Sequence, residues 1–517
     1  TEQRPAGGVT SYSYDDRGRA LTISRGPSST DLRERIEYTY DPLTGKKSLE
    51  RILGFEGGAW VEKKRESFAY DGLGQLLTIT HADGASIAYA YDVAGRVATM
   101  RDENHSTPNT TYAYDPAGRV AVVNQTLSTA PNGTITTNYT YDIHGNLSSV
   151  TDPNGNVTTY ASSDFGQVIT QQSPVTGATG YAYDSAGNLV NSIDANGTTT
   201  VRIYDAMGRP LLAVSTKNGE VPPVTSRGLS RPIVRQSSNE SETVSWTYDD
   251  PTVGQFGIGR MASMTDPAGA TTYAYERRGL LRTEQRAVAS GIGLTTFRYD
   301  ADANRISIGY PSGRVVNYSF DYADRPTSAS SGTATLVSSA AYLPFGPAKD
   351  IVYGNGTEQT MSYDARYRLM TNKLAGQPGT IDQHDYSYDA TGNIIQLADA
   401  LDAGYSRIVG YDDLNRLTTA NTGASLWGTG SYTYDTMGNM LQSKLGDPAV
   451  SMLAGEADFT YVGTTPKIAT VRNTSLIDTG GLSLKKRRAR ASSVGYSTVR
   501  YDAAGNEISY VATRSYS

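Results

Sequence analysis

Apolar and polar residues alternate in short runs along this chain, and the runs are cut at regular intervals by turn residues. A stretch such as Tyr181-Ala-Tyr-Asp-Ser-Ala-Gly187 places two rings two positions apart and then reverses. Period-two alternation over six or seven residues reads as a half-buried strand. The Tyr-x-Tyr pairs, among them Tyr89/Tyr91, Tyr112/Tyr114, Tyr181/Tyr183, Tyr386/Tyr388 and Tyr432/Tyr434, therefore put both rings on one face. The residue between them is usually small, as with Ala90, Ala113 and Ala182. From this alternation we expect tyrosine ladders, stabilised by aromatic cross-strand pairs.

The interruptions are themselves a pattern. Tyr-Asp-x-x-Gly recurs with Tyr91, Asp92, Gly95 and Arg96; Tyr114, Asp115, Gly118 and Arg119; Tyr183, Asp184 and Gly187; and Tyr204, Asp205, Gly208 and Arg209. Later copies are Tyr388, Asp389 and Gly392; Tyr434, Asp435 and Gly438; and Tyr501, Asp502 and Gly505. Looser versions begin at Tyr40, Tyr248, Tyr275, Tyr299, Phe320, Tyr363 and Tyr411, and worn ones at Ser226, Tyr342 and Tyr461. The interval is mostly 21 or 23 residues, as from Tyr70 to Tyr91 and from Tyr91 to Tyr114. Asp-x-x-Gly is a type I turn signature. A left-handed glycine at its end makes it a bulged hairpin connection. A second turn falls about half a period on, at Asp152–Gly155, Asp194–Gly197, Asp266–Gly269 and Tyr310–Gly313. Each repeat is thus strand, turn, strand, turn, and the whole chain, residues 1–517, reads as one repeat region without a linker.

Scale then limits the architecture. Two strands per repeat give on the order of 40 strands, roughly 190 Å if laid side by side at about 4.8 Å. Open sheets rarely pass about ten strands without curling or splitting. Propeller blades of two repeats are possible in length, but the composition argues for a coiled sheet with wet faces. The chain has 37 Tyr against 8 Phe and 3 Trp, and charged residues make up only 19%. The fold class we expect is all-β, an antiparallel meander coiled into a hollow spiral shell.

Composition also narrows the chemistry. The formal charge of −6 gives no basic field for nucleic acid, and the absence of cysteine excludes disulfides and thiolate metal sites. No apolar run approaches a membrane-spanning length. The chain begins without Met and enters a repeat almost at once, so we expect a segment of a longer protein. His81, His105, His144 and His384 sit in or near turns without metal-ligand spacing and read as surface residues. The repeated aspartates read as turn caps rather than cation ligands. No catalytic, cofactor or metal residue is expected. Leu484–Ser493 (LKKRRARASS) is a basic insertion that reads as a solvated loop or as a protease-sensitive or anion-contacting insertion.

YDVAGR, YDPAGR, YDAMGR, YDSAGN and YDAAGN at this period resemble the YD or Rhs (rearrangement hotspot) repeats. The resemblance implies a spiral β-sheet shell which, in bacterial Rhs toxins and insecticidal toxin complexes, encloses a C-terminal toxic domain. On that basis the chain would be a non-catalytic wall segment, secreted or on the bacterial surface. Its partners would be its own C-terminal cargo and secretion or toxin-complex delivery proteins. The alternative is an adhesion or carbohydrate-binding array, with glycans as ligands. At Asp447-Pro448 the family's Asp-Pro-x-Gly core signature is not completed, since Ala449 and Val450 follow.

Overall fold

Each strand pairs with the strand before it and the strand after it, because tight turns leave no other partner within reach. The computed structural model describes residues 1–128, 133–217, 224–225, 233–234, 241–423, 425–446, 455–477 and 491–516. Among these, 41 strands form one antiparallel sheet, and Val224–Thr225 and Ile233–Val234 form a separate small hairpin. Strand Pro210–Thr216 pairs directly with Ser241–Tyr248 and so carries the sheet past the intervening stretch. One short 3₁₀ turn, Ala403–Tyr405, is the only helical element among the described residues. The worn copy at Ser226 and most of the basic insertion, through Arg490, lie outside the described residues.

The core is thin. Fully buried apolar side chains are few and scattered, among them Val9, Leu127, Leu212, Val214 and Val316, and most strand residues are half-buried. A sheet this poor in large aliphatics cannot pack a second layer on itself, so its faces stay wet and its stability rests on pairing and on its turns.

Two kinds of turn alternate along the ribbon, one kind on each rim. The Tyr-Asp turns line one rim, and the second turns line the other. Polar contacts join the rims of different passes. Asn154 Nδ2 donates to Asp435 Oδ2 at 2.7 Å, and Asn196 Nδ2 donates to Asp502 Oδ2 at 2.8 Å. Arg4 meets Asp324, the pair most distant in sequence. Twenty-three sheet strands separate Asn154 from Asp435, and the same number separates Asn104 from Asp389 and Asn196 from Asp502. Because turns alternate between rims, an odd count brings opposite rims together, as a continuous spiral requires. At about 4.8 Å per strand, one revolution is on the order of 110 Å around and roughly 35 Å across. The sheet is a spiral of almost two passes, not closed by strand pairing, whose turns meet along a seam.

Candidate functional site: the turn rims and their seam

The Tyr-Asp turn is held by a set of hydrogen bonds that most copies share. Asp92 Oδ1 accepts from the backbone N–H of Ala94 (2.9 Å) and Arg96 (3.0 Å), and Oδ2 accepts from Arg96 Nε at 2.8 Å. Asp115 and Arg119 repeat this, with Nε at 2.7 Å, as do Asp205 and Arg209, at 2.6 Å. Where the fifth turn position is Asn, its carboxamide replaces the guanidinium. Asn188 serves Asp184 at 2.9 Å, Asn393 serves Asp389 at 2.8 Å, Asn439 serves Asp435 at 2.7 Å and Asn506 serves Asp502 at 3.0 Å. These asparagines were readable in the YDxxGN copies once the role of the arginine is known. The closing glycines, Gly95, Gly118, Gly187, Gly208, Gly392, Gly438 and Gly505, have φ between 77° and 102°, a region that L side chains avoid.

At several turns these bonds favour the ionised carboxylate. The Arg96 side chain is the main reason that Asp92 lies below the usual carboxylate range, and the Arg119 backbone N–H is the main reason for Asp115. At Asp205 and Asp389, burial pushes upward but the bonds from Arg209 and Asn393 outweigh it.

Most of the Tyr-Asp tyrosines then tie their repeat to the one before. Tyr91 Oη donates to the Leu76 carbonyl at 2.8 Å, Tyr114 to Val97 at 2.7 Å, Tyr183 to Val168 at 3.0 Å, Tyr204 to Leu189 at 2.9 Å and Tyr388 to Leu369 at 2.7 Å. The acceptor is always two residues past the closing residue of the preceding Tyr-Asp turn. The same bond at Tyr342 to Pro326 (2.6 Å) and at Tyr461 to Met440 (2.6 Å) makes those worn copies structurally equivalent to the others.

The expected aromatic ladder takes a different form. Among the described residues the ring–ring contacts are Tyr12 with Tyr14 and Phe55 with Trp60. Tyrosines of successive repeats lie two strands apart, about 9.6 Å, beyond the 4.5–7 Å at which rings pair. Arginine fills the gap. Arg96 lies 4.3 Å from the Tyr114 ring centre, Arg209 4.4 Å from Tyr248, Arg368 5.0 Å from Tyr388 and Arg416 5.1 Å from Tyr434. Lys467 takes this place beside Tyr501, at 5.7 Å.

At the seam the second turns of the first pass meet the Tyr-Asp turns of the second. Glu34, 1% exposed, accepts from Arg325 Nη1 at 3.0 Å and from the Phe345 N–H at 2.8 Å. Arg25, directly opposite Glu34 in the sheet, stacks 4.6 Å from the Phe345 ring. Asp83 pairs with Arg366 (3.3 Å) and Arg368 (3.0 Å), and Glu103 pairs with Arg366 (3.3 Å). The Ser128 N–H meets Asp413. Two histidines expected at the surface are drawn into this zone. His81 and His105 have side chains only 12% and 17% exposed, each against carboxylates, because the second pass covers the turns that carry them or their partners. His384 lies beside Asp382, at 3.2 Å.

The rims and seam define a class: a coiled single-sheet shell made of Tyr-Asp repeats. The RHS Repeat family model matches residues 70–107, 123–157, 163–199 and 183–221, so that stretch of the chain carries Rhs repeats. Its fold is that of toxin-complex structures. It superposes on the crystal structure of TcdB2-TccC3 with a TM-score of 0.73 at 17% identity, covering 98% of this chain and 30% of that one. Against TcdB2-TccC3-TEV the TM-score is 0.74 at 16% identity, covering 96% and 29%. The Tc holotoxin pore of Photorhabdus luminescens gives 0.72 at 15%, covering 95% and 30%. The chain thus spans about 30% of the length of these relatives. No curated protein matches it by sequence.

Proposed function

We propose that this chain is a non-catalytic wall segment of a bacterial Rhs-repeat protein that encloses a C-terminal toxic domain of the same protein until delivery. The observation that carries this reading is the seam. A sheet that laps itself after 23 strands and seals the lap with buried charge surrounds a space instead of presenting a flat surface. The likeness in fold to structures of toxin complexes supports the same reading. The residues of the Tyr-Asp turns, including Tyr91, Asp92, Tyr114, Asp115, Tyr388 and Asp389, serve as wall material. Residues 1–517 form one continuous repeat region of a larger secreted protein, and delivery falls to toxin-complex or secretion proteins.

The test is protease protection in the protein expressed with its downstream reading frame. We expect the C-terminal domain to survive protease while the wall is intact and to be digested after the wall is opened with mild denaturant. Equal digestion in both states, or a density map with a filled interior formed by the repeats themselves, would overturn the proposal.

A further inference from the structure

The seam carries two histidines in an arrangement that one protonation state satisfies better than the other. His105 Nδ1 lies 2.5 Å from Asp102 Oδ1 in its own turn, and Nε2 lies 3.4 Å from Asp413 Oδ1 in the second pass. A neutral imidazole carries one N–H, so it can donate to only one of these carboxylates and must turn a lone pair toward the other. An imidazolium donates to both. His81 repeats the geometry, with Nδ1 3.5 Å from Glu66 Oε1 and Nε2 3.2 Å from Glu103 Oε1, the carboxylate that pairs with Arg366 across the seam.

The remaining charges near His105 are already engaged. Arg101 Nη1 donates to the backbone carbonyls of Asp102 and His105, Asp102 Oδ2 accepts from Asn109, and Asp413 Oδ2 accepts from the Ser128 N–H. Arg416 is bound to Asp412, and Asp389 to Asn104 and Asn393. Around His81, Asp83 is held by Arg366 and Arg368, and Arg368 also binds Asp364. Among the described residues, therefore, no neighbouring cation stands ready to replace the imidazolium between Asp102 and Asp413.

We propose that the lap of the coil is a proton-dependent latch, closed when His105 is an imidazolium bridging Asp102 and Asp413 and loosened when it is neutral. Burial works against the charged ring, but the hydrogen bond and charge of Asp102, and then Asp413, outweigh it, so the His105 pKa is raised. A raised folded-state pKa gives stability that is complete below the unfolded value, about 6.5. That stability is lost as pH rises through the folded value. The latch thus holds under acidic conditions and releases on alkalinisation. It depends on the seam alone and not on what the coil encloses.

Hydrogen exchange of the full chain, corrected for the intrinsic effect of pH, tests this from about pH 6 to about pH 9. Peptides covering 100–106, 126–128 and 411–416 should lose protection as the pH rises. The histidine-free contact of Glu34 with Phe345 should not change, which separates latch release from general loosening. His105→Gln should leave the lap loose across the whole range. His105→Arg, a fixed cation, should keep it closed at high pH. An unchanged pH response in both variants, or equal loosening at Phe345, would overturn the proposal. If either variant misfolds, the wild-type contrast between the 411–416 and 345 regions decides it.

Discussion

The Tyr-Asp turns of the first pass and those of the second share one plan and differ in their closing residue. On the first pass, from Asp15 to Arg209, the slot is always glycine, and the turn tips face solvent. Leu43, Val93, Ile143 and Phe165 are between 89% and 109% exposed. On the second pass the slot is held by Ala303, Asp324, Tyr367 and Asn415, with φ from 60° to 69°, while Gly392, Gly438 and Gly505 retain the older rule. All four family-model matches fall within residues 70–221, on the first pass. An open rim needs only a turn that closes. On the covered rim Asp324 reaches Arg4 of the first pass, while Tyr367 and Asn415 bond to neighbouring turns of their own pass, and left-handed strain of roughly 1–2 kcal/mol per residue is tolerated there.

The largest effect should come from removing the charge at the lap. Glu34→Ala leaves Arg325 and the Phe345 N–H facing a buried gap, and breaking one side of a buried pair costs about 3–5 kcal/mol. Urea unfolding should show this as a shift in midpoint. A loss below about 1 kcal/mol, the range of an exposed pair, would mean that the lap contributes little and that the two rims are energetically alike.

Tyr367→Gly isolates the closing slot. The ring packs on Gly346, and its hydroxyl donates to the Pro344 carbonyl at 2.9 Å. Burial raises the phenol's pKa, since the charged form would have to be desolvated. Glycine relieves the strain but deletes the packing and the bond of this half-buried ring, so we expect a net loss of about 2 kcal/mol, below the roughly 3–5 of a fully buried aromatic. A gain in stability would show that Tyr367 is an eroded glycine and not a seam residue.

This distinction marks the limit of what could be read from the chain. Turn chemistry is local: Asp92, Gly95 and Arg96 lie within five residues of one another, so their arrangement follows from spacing, as does the meander. The lap joins residues about 300 apart, and nothing in the period of 21 to 23 announces a revolution of 23 strands. FDYADR, YDARYR and YDDLNR therefore look like decayed copies, when Asp324, Arg366, Tyr367 and Asn415 hold the seam or stand in the glycine slot beside it. His105 reads as a surface turn residue for the same reason, since Asp413 is invisible from its neighbourhood. The ring ladder failed on a distance: alternation fixes which face a tyrosine takes, but not that the next one is two strands away.

A reciprocal pair sharpens the glycine rule. Gly95→Ala, on the open rim, forces a methyl group into φ 80° and brings it within 2.8 Å of the Gln75 side chain, which can move aside. We expect a loss of roughly 1–2 kcal/mol from backbone strain alone. Asn415→Gly removes strain, but the Asn415 carboxamide also accepts from Asn393 Nδ2 at 2.6 Å and Thr391 Oγ1 at 3.2 Å. Thermal melts should place it near neutrality. Equal losses in the two variants would argue that strain does not distinguish the rims.

The smallest effect should be Tyr114→Phe, and it tests what the rims have in common. The change deletes one hydroxyl and leaves the ring beneath the Arg96 guanidinium. The Val97 carbonyl loses its tyrosine donor but is near enough to the surface to recruit water, so the net loss should be about 1 kcal/mol, the ordinary value of one neutral hydrogen bond. Tyr388→Phe, the matching change on the second pass, deletes the bond to Leu369 beneath Arg368. If the hydroxyl serves only to tie one repeat to the last, the two variants should lose the same amount within error, whereas the closing-slot variants should not. A markedly larger loss at Tyr388 would place the tyrosine bond among the devices of the seam and move the boundary between common wall and specialised lap inward, from the turn tip to the strand end.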